Sequence, residues 1–186
     1  MKKWKRLKSK LVFKAPHFKV REDTVELPTK EIIRWTYWDS NDSVLVVAAT
    51  QKGKLVFIRQ HRYLVGKDVL ELPSGGIDDG ESPEKAARRE LLEETGFSCS
   101  KLIKSGSFYE TYGQLNRQIH FFFTKVSGKS QQNLDSGEKG FEDISVELVS
   151  FEKALDRALK GALLHIGITL AILLLREKLE RKEIAL

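Results

Sequence analysis

At 186 residues, with 41% apolar and 31% charged side chains, the chain carries enough apolar material for one sizeable core and enough charge to stay in solution, the balance of a single globular domain. Its one cysteine, Cys99, excludes an internal disulfide and is expected to pack in a reducing compartment. The longest apolar segment, Ala162 to Leu175, contains His165 and is too short to span a bilayer, so it is expected as a buried helix.

The formal net charge of +6 is unevenly placed, because Lys2, Lys3, Lys5, Arg6, Lys8, Lys10 and Lys14 all precede the first acidic residue, Glu22. No base-reading motif or cluster of stacking aromatics accompanies them. A solvated basic arm is therefore expected, with neither nucleic acid nor membrane as partner. The opening also lacks the apolar stretch of a signal peptide, which makes the cytoplasm the expected location.

From about Lys10 to Trp38 the residues alternate as strands do around a turn near Pro28, and Asp39 to Asp42 make a polar turn signal. Residues 1–41 thus read as a β-rich extension of a main domain over 42–186. Ser43 to Thr50 and Lys54 to Gln60 read as paired strands, and Val69 to Pro73 leads into a glycine-rich turn. Ser82 is a good N-cap, Pro83 suits the first helical position and Gly96 suits a left-handed C-terminal cap, so a helix is expected over Pro83 to Thr95. Strands are expected at Phe108 to Tyr112 and Ile119 to Val126, then a loop from Ser127 to Gly140 and a strand at Ile144 to Val149. Ser150 caps a helix over Phe151 to Lys160, and a last helix runs from Leu164 to Arg181. Strands on both sides of a helix, with a helical ending, imply an α/β fold with a mixed sheet between helices.

The helix over Pro83 to Thr95 carries the chemistry. At roughly 100° per residue, Glu90, Glu93 and Glu94 share one arc while Leu91 and Leu92 point the other way, toward a core. Three carboxylates at this spacing repel one another, in the half of the helix where the macrodipole already disfavours negative charge. A charge run on a helix is usually a solvated face. These glutamates also offer the oxygen ligands that a hard divalent cation such as Mg²⁺ takes together with phosphates.

The segment Gly75 to Phe97 places Gly75, Glu81, Arg89, Glu90, Leu91, Glu93, Glu94, Gly96 and Phe97 at every fixed position of G-x5-E-x7-R-E-U-x-E-E-x-G-U, where U is apolar. This strongly resembles a Nudix hydrolase, and the resemblance implies the Nudix α/β/α sandwich. It also implies Glu90, Glu93 and Glu94 as metal ligands, with Ser74 and Gly75 offering backbone carbonyl, Glu81 supporting the cluster and Arg89 orienting a glutamate. Mg²⁺ is the implied metal, with Mn²⁺ a possible substitute.

Further likeness, in Phe57 to Tyr63, Val69 to Asp78, the N-terminal extension and Gly161 to Ala171, is to ADP-ribose pyrophosphatases and nucleoside-diphosphate-sugar hydrolases. It implies a homodimer and hydrolysis of a pyrophosphate bond to a nucleoside monophosphate and a sugar phosphate. Arg62 would hold the diphosphate beside Glu71, and Arg34, Trp35 and Tyr37 lie where relatives contact diphosphate and stack the base; Trp35 and Tyr37 equally fit strand core or a dimer interface. The general base would be Glu142 or Glu138 on the loop before the last strand, or Glu93 of the helix. His61, His120 and His165 read as structural. Where ADP-ribose-selective relatives often read Tyr-Pro-Ser-Pro-Gly, this chain has Tyr109, Glu110, Thr111, Tyr112 and Gly113. A dinucleoside polyphosphate hydrolase is therefore the alternative reading, followed by a non-catalytic nucleotide-sensing module.

Overall fold

The computed structural model describes residues 3–16, 18–130, 132 and 143–186. The chain forms two compact units, Met1–Asp42 with Tyr109–Gln118, and Ser43–Phe108 with Ile119–Leu186.

The first unit is built on three antiparallel strands in chain order, β1 (Lys5–Lys14), β2 (Lys19–Glu26) and β3 (Ile32–Asp39). The basic segment expected as a solvated arm is strand β1. Two of its lysines lie across from acidic positions of β2, Lys5 opposite Glu26 and Lys10 opposite Glu22, the latter pair 3.0 Å apart. Register shifts between Arg6 and Lys8 and between Leu11 and Phe13 break the alternation of faces, which hides the strand in the sequence. The β2–β3 turn closes with Leu27 N–H donating to Glu31 O at 2.8 Å, and Lys30 adopts φ 73°. The 109–118 segment folds onto the end of β3. Trp38 N–H donates to Gln114 O at 2.8 Å, and the Asn116 side chain both donates to Asp39 Oδ1 at 2.8 Å and accepts from Ser40 N–H at 3.0 Å.

The second unit holds an eight-stranded sheet. Its strands are β4 (Ser43–Ala49), β5 (Lys54–Arg62), β6 (Lys67–Glu71), β7 (Ser74–Gly76), β8 (Phe97–Cys99), β9 (Ile103–Tyr109), β10 (Gln118–Lys129) and β11 (Ile144–Ser150). The main order is β11-β5-β4-β10-β8, with β6 on β5, β7 on β4 and β9 on β10. β4 and β10 run parallel while β4–β5, β5–β6 and β5–β11 are antiparallel, so the sheet is mixed as expected. The strand expected at Phe108 to Tyr112 starts earlier, at Ile103, and ends at Tyr109. Ile103 and Phe108 pack on the same core despite their odd spacing, with Gly106 between them, and no simple alternation marks the strand.

Among the described residues three helices cover the sheet: α1 (Pro83–Thr95), α2 (Phe151–Leu159) and α3 (Ile166–Glu180). On one face Leu45, Phe57 and Phe121 pack with Ala154, Ala158, Ile168 and Ile172 of α2 and α3. On the other, Val44, Val46, Val56 and Phe122 pack with Ala86, Ala87 and Leu91 of α1. This is the expected α/β/α sandwich. Every residue of β4 is buried because both of its faces are covered, which explains its unbroken apolar run. Among the described residues no helix is long and apolar enough to cross a membrane.

The caps of α1 form as its sequence requires. Ser82 Oγ accepts from Lys85 N–H at 3.3 Å, and Gly96, at φ 70°, donates its N–H to Leu92 O. Leu91 is fully buried, but Leu92 is 40% exposed, so only one of the two leucines expected in the core lies there. The inward arc of α1 is set by Ala87, Leu91, Glu94 and Thr95, all buried, and Leu92, about 100° on from Leu91 and on the side away from Glu94, falls at its edge. Leu91 therefore anchors the helix that carries the acidic residues, and Leu91→Ala is expected to lower the unfolding free energy by about 2–5 kcal/mol in urea denaturation. A loss below about 1 kcal/mol would show that α1 is held by something other than this contact.

Candidate active site

The site is assembled where β7 hands over to α1 in the second unit. Arg89 is its hub. A guanidinium has five N–H donors, and here Nε donates to Glu81 Oε1 at 3.1 Å, Nη1 to Glu90 Oε1 at 2.7 Å and Glu93 Oε2 at 3.3 Å, and Nη2 to Glu81 Oε2 at 2.9 Å and Gly76 O at 2.9 Å. The paired bonds to Glu81 form the two-pronged fork in which arginine is strongest. Hydrogen bonding from Arg89 holds the Glu81 carboxyl below the usual range, and in return the Arg89 guanidinium is pushed above its ordinary value, chiefly by Glu81.

Glu94 takes a different partner. It is 5% exposed and accepts from Ser74 N–H at 2.9 Å, which fastens the helix to β7. Gly75 lies beside Glu90, and a Cβ at position 75 would collide with the Glu90 carboxylate. Only glycine leaves this room, which is the physical reason for a glycine at the start of the segment.

At formal charge, one guanidinium stands among the carboxylates of Glu81, Glu90, Glu93 and Glu94. The donors are oxygens of the kind Mg²⁺ takes, next to a backbone that glycine lets come close. Glu81, Glu90 and Glu93 converge on Arg89 while Glu94 is held by Ser74 N–H, and among the described residues no three acidic, histidine or cysteine side chains form a ready-made metal cage.

Arg62, at the end of β5, and Glu71, at the end of β6, are brought together, Arg62 Nε lying 3.1 Å from both Glu71 oxygens. Glu71 is 8% exposed while the Arg62 side chain remains 44% exposed, so a buried carboxylate holds an arginine that still faces solvent. Glu138 and Glu142 lie outside the described residues.

Arg34, Trp35 and Tyr37 lie on β3 of the first unit and do not share a face. Successive residues of a strand point to opposite sides. Trp35 and Tyr37 stand on the side of Asp23 and Arg21, their cross-strand partners, while Arg34 stands on the other, 3.8 Å from Glu22. Burial, then the nearby Asp23 and Asp39 carboxylates, pushes the Tyr37 phenol above its usual value.

His61, His120 and His165 each have a partner in the fold. His61 Nδ1 is 2.9 Å from Asp68, buried His120 is 2.7 Å from Ser107 Oγ, and His165 caps α3 by accepting from Gly167 N–H at 3.1 Å. Sequence reasoning missed two members of the site, the Gly76 carbonyl and the Ser74 amide. Both are backbone groups, to which a side-chain pattern gives no signal.

Two family profiles match the chain. The one described as NUDIX domain covers residues 39–166, and the one described as Nucleoside diphosphate sugar hydrolase N-terminal domain covers residues 4–33. The chain belongs to the Nudix family. Among curated relatives it is 32% identical over 133 residues to the ADP-ribose pyrophosphatase of Bacillus subtilis (strain 168), covering 72% of this chain and 71% of that protein. It is 31% identical over 156 residues to the methanol dehydrogenase activator of Bacillus methanolicus, covering 84% and 81%. With the GDP-mannose pyrophosphatase of Escherichia coli (strain K12) it shares 30% identity over 155 residues, covering 78% and 81%. The crystal structure of an ADP compounds hydrolase superposes with a TM-score of 0.80 at 18% identity, covering 98% of this chain and 97% of the other, which shows the shared fold.

The bonds between Arg89 and Glu81 set a pH dependence of stability. The folded Glu81 value lies below the ordinary 4.5, so the pair's contribution is complete above that value and is lost as pH falls through the lowered one. Glu81→Gln is expected to lower Tm at pH 7, and the gap between variant and wild type is expected to close in acid. A gap that stays constant from pH 7 to pH 3 would contradict this origin.

Proposed function

We propose that the chain is a Mg²⁺-dependent hydrolase of the pyrophosphate bond in ADP-ribose or a related nucleoside diphosphate sugar, yielding a nucleoside monophosphate and a sugar phosphate, with Mn²⁺ able to substitute. The observation that carries this reading is the gathering of Glu81, Glu90 and Glu93 on Arg89 with Glu94 clamped at Ser74. An anionic pyrophosphate approaching these carboxylates alone would be repelled, so the site calls for cations. The names of the relatives, ADP-ribose pyrophosphatase and GDP-mannose pyrophosphatase, support the substrate class.

Glu90, Glu93 and Glu94 would hold the metal, with backbone carbonyl from Ser74 or Gly75. When bound, it supplies charge neutralisation for the phosphates and a lowered pKa for water. Arg89 keeps Glu90 and Glu93 aimed, and Arg62, steadied by Glu71, presents its planar fork to a phosphate. Glu142 is assigned as the base that takes the proton from water, with Glu138 and Glu93 as the alternatives. No covalent nucleophile is needed, since positioning and charge stabilisation supply most of the acceleration in phosphoryl transfer. On the first unit, Trp35 and Tyr37 are assigned to the base and Arg34 to the phosphates.

A second reading, hydrolysis of dinucleoside polyphosphates, is favoured by Tyr112, which is 86% exposed where ADP-ribose-selective relatives have proline. A homodimer in the cytoplasm completes the proposal. Exposed Leu7, Leu11, Phe13, Ile32 and Trp38 on the three-stranded sheet support self-association. Sedimentation at micromolar concentration is expected to give a dimer, and a monomer would refute that part.

Turnover of ADP-ribose, GDP-mannose, ADP-glucose and Ap4A, with Mg²⁺ and with Mn²⁺, tests the function. Nucleotide sugars are expected to be cleaved to nucleoside monophosphate, with Glu93→Gln or Glu94→Gln lowering kcat roughly a hundred-fold to ten-thousand-fold. In the same assay Arg62→Ala is expected to raise KM while the Mg²⁺ dependence stays unchanged. Preferred release of ATP from Ap4A would select the second reading, and near wild-type turnover by both glutamate variants would remove the metal-ligand assignment.

A further inference from the structure

On the face of the sheet away from α1, the end of β4 and the adjoining part of β10 leave space unfilled. The two strands run parallel, with Val47 beside Phe123 and Ala49 beside Lys125, so these four side chains share the face that α3 covers. Between them, Ile103 at the start of β9 and Leu175 of α3 lies a cavity of about 310 Å³. Protein interiors pack closely, with few voids larger than a water molecule, so this one is far larger than a packing fault. It falls within the size range of small-molecule sites.

The remaining wall is the segment after α3, and it is held in place. The helix ends in two reversing bonds, Lys182 N–H to Leu179 O at 3.0 Å and Glu183 N–H to Lys178 O at 2.9 Å, with Lys182 at φ 57°. Lys178 Nζ then pairs with the Glu183 carboxylate at 2.7 Å. The chain is thereby turned back so that Ile184 and Leu186 pack against the core and line the cavity.

Floor and rim differ in character. Val47, Ala49, Phe123 and Leu175 are each at most 3% exposed and make the floor apolar. Lys101 and Lys125 are exposed and line the same cavity. Among the described residues neither lysine has an ion-pair partner, and Glu183, the acidic side chain of the tail, is already taken by Lys178. A lysine lays its stem along apolar surface and keeps its ammonium in water, which puts two positive charges at the mouth. The occupant that suits both is apolar along its body and anionic at one end. We propose that this cavity is a binding site for a small amphipathic carboxylate, its apolar body lying on Val47, Phe123 and Leu175 and its head at Lys101 and Lys125. A nucleotide does not fit, because its ribose hydroxyls would lose their water against an apolar floor. The site is separate from the carboxylates of α1, a helix that packs on the opposite face of the sheet.

Octanoate, octanamide and acetate, titrated calorimetrically into the full chain, test the assignment. Octanoate is expected to saturate a single site with a Kd at or below about 1 mM. Octanamide has the same shape without the charge and is expected to bind roughly threefold to thirtyfold more weakly, the range for two solvent-screened ion pairs. Acetate, a head without a body, is expected not to saturate. Replacing both exposed lysines, as Lys101→Ala with Lys125→Ala, is expected to abolish the preference for octanoate over octanamide. Ala49→Leu, which grows into the cavity, is expected to weaken both, with circular dichroism confirming the fold. AMP is expected to displace neither. Lack of saturable octanoate binding by wild type, which needs no variant, would overturn the proposal. So would equal affinity for octanoate and octanamide, displacement of octanoate by AMP, or unchanged binding by a folded Ala49→Leu protein.

Discussion

Arg89 has five N–H donors, and five acceptors from Glu81, Glu90, Glu93 and Gly76 meet them. That match is the constraint on which the candidate active site depends, because the carboxylates concerned repel one another and would otherwise splay into solvent. It is a positional device more than a source of stability. Charge-assisted hydrogen bonds contribute about 1.5–3 kcal/mol each at best, and partly exposed ion pairs often about 0–1 kcal/mol. The burial of Leu91, Ala86 and Ala87 against Val44, Val46 and Phe122 holds the helix on the sheet. The arginine then decides where the acidic side chains point.

The same region shows how backbone and side chain share a site. Ser74 N–H receives Glu94, Gly76 O receives Arg89, and Gly75 between them leaves space for Glu90. Strand β7 thus contributes through its main chain and through a missing side chain. Arg62 follows another logic: its partner Glu71 is buried while the guanidinium remains partly open, which suits a group held in one orientation and offered to a phosphate.

In the first unit the alternation of a strand sorts residues that a linear reading groups together. Arg34 and Trp35 are neighbours in sequence and stand on opposite faces, whereas Trp35, Tyr37 and Asp23 share one. Selection of a base and cleavage of a pyrophosphate are separable demands, the first a matter of hydrogen-bonding edges and stacking, the second of charge and positioning. The chemistry carried by α1 is general to linked phosphates.

The sequence by itself determined the local structure and the chemistry that depends on fixed spacing. The caps Ser82 and Gly96 bounded α1, the spacing of Glu90, Glu93 and Glu94 set the acidic arc, and unbroken apolar runs marked the buried strands, because each of these follows from a helical or strand repeat within a few residues. Only the tertiary structure decided which partners those groups took. It turned the basic segment into β1 through pairing with β2, left Leu92 partly in solvent, and folded residues 109–118 onto the end of β3. Each of these depends on contacts between segments far apart in the chain, or on backbone groups that every residue carries, and neither leaves a periodic trace in the order of side chains.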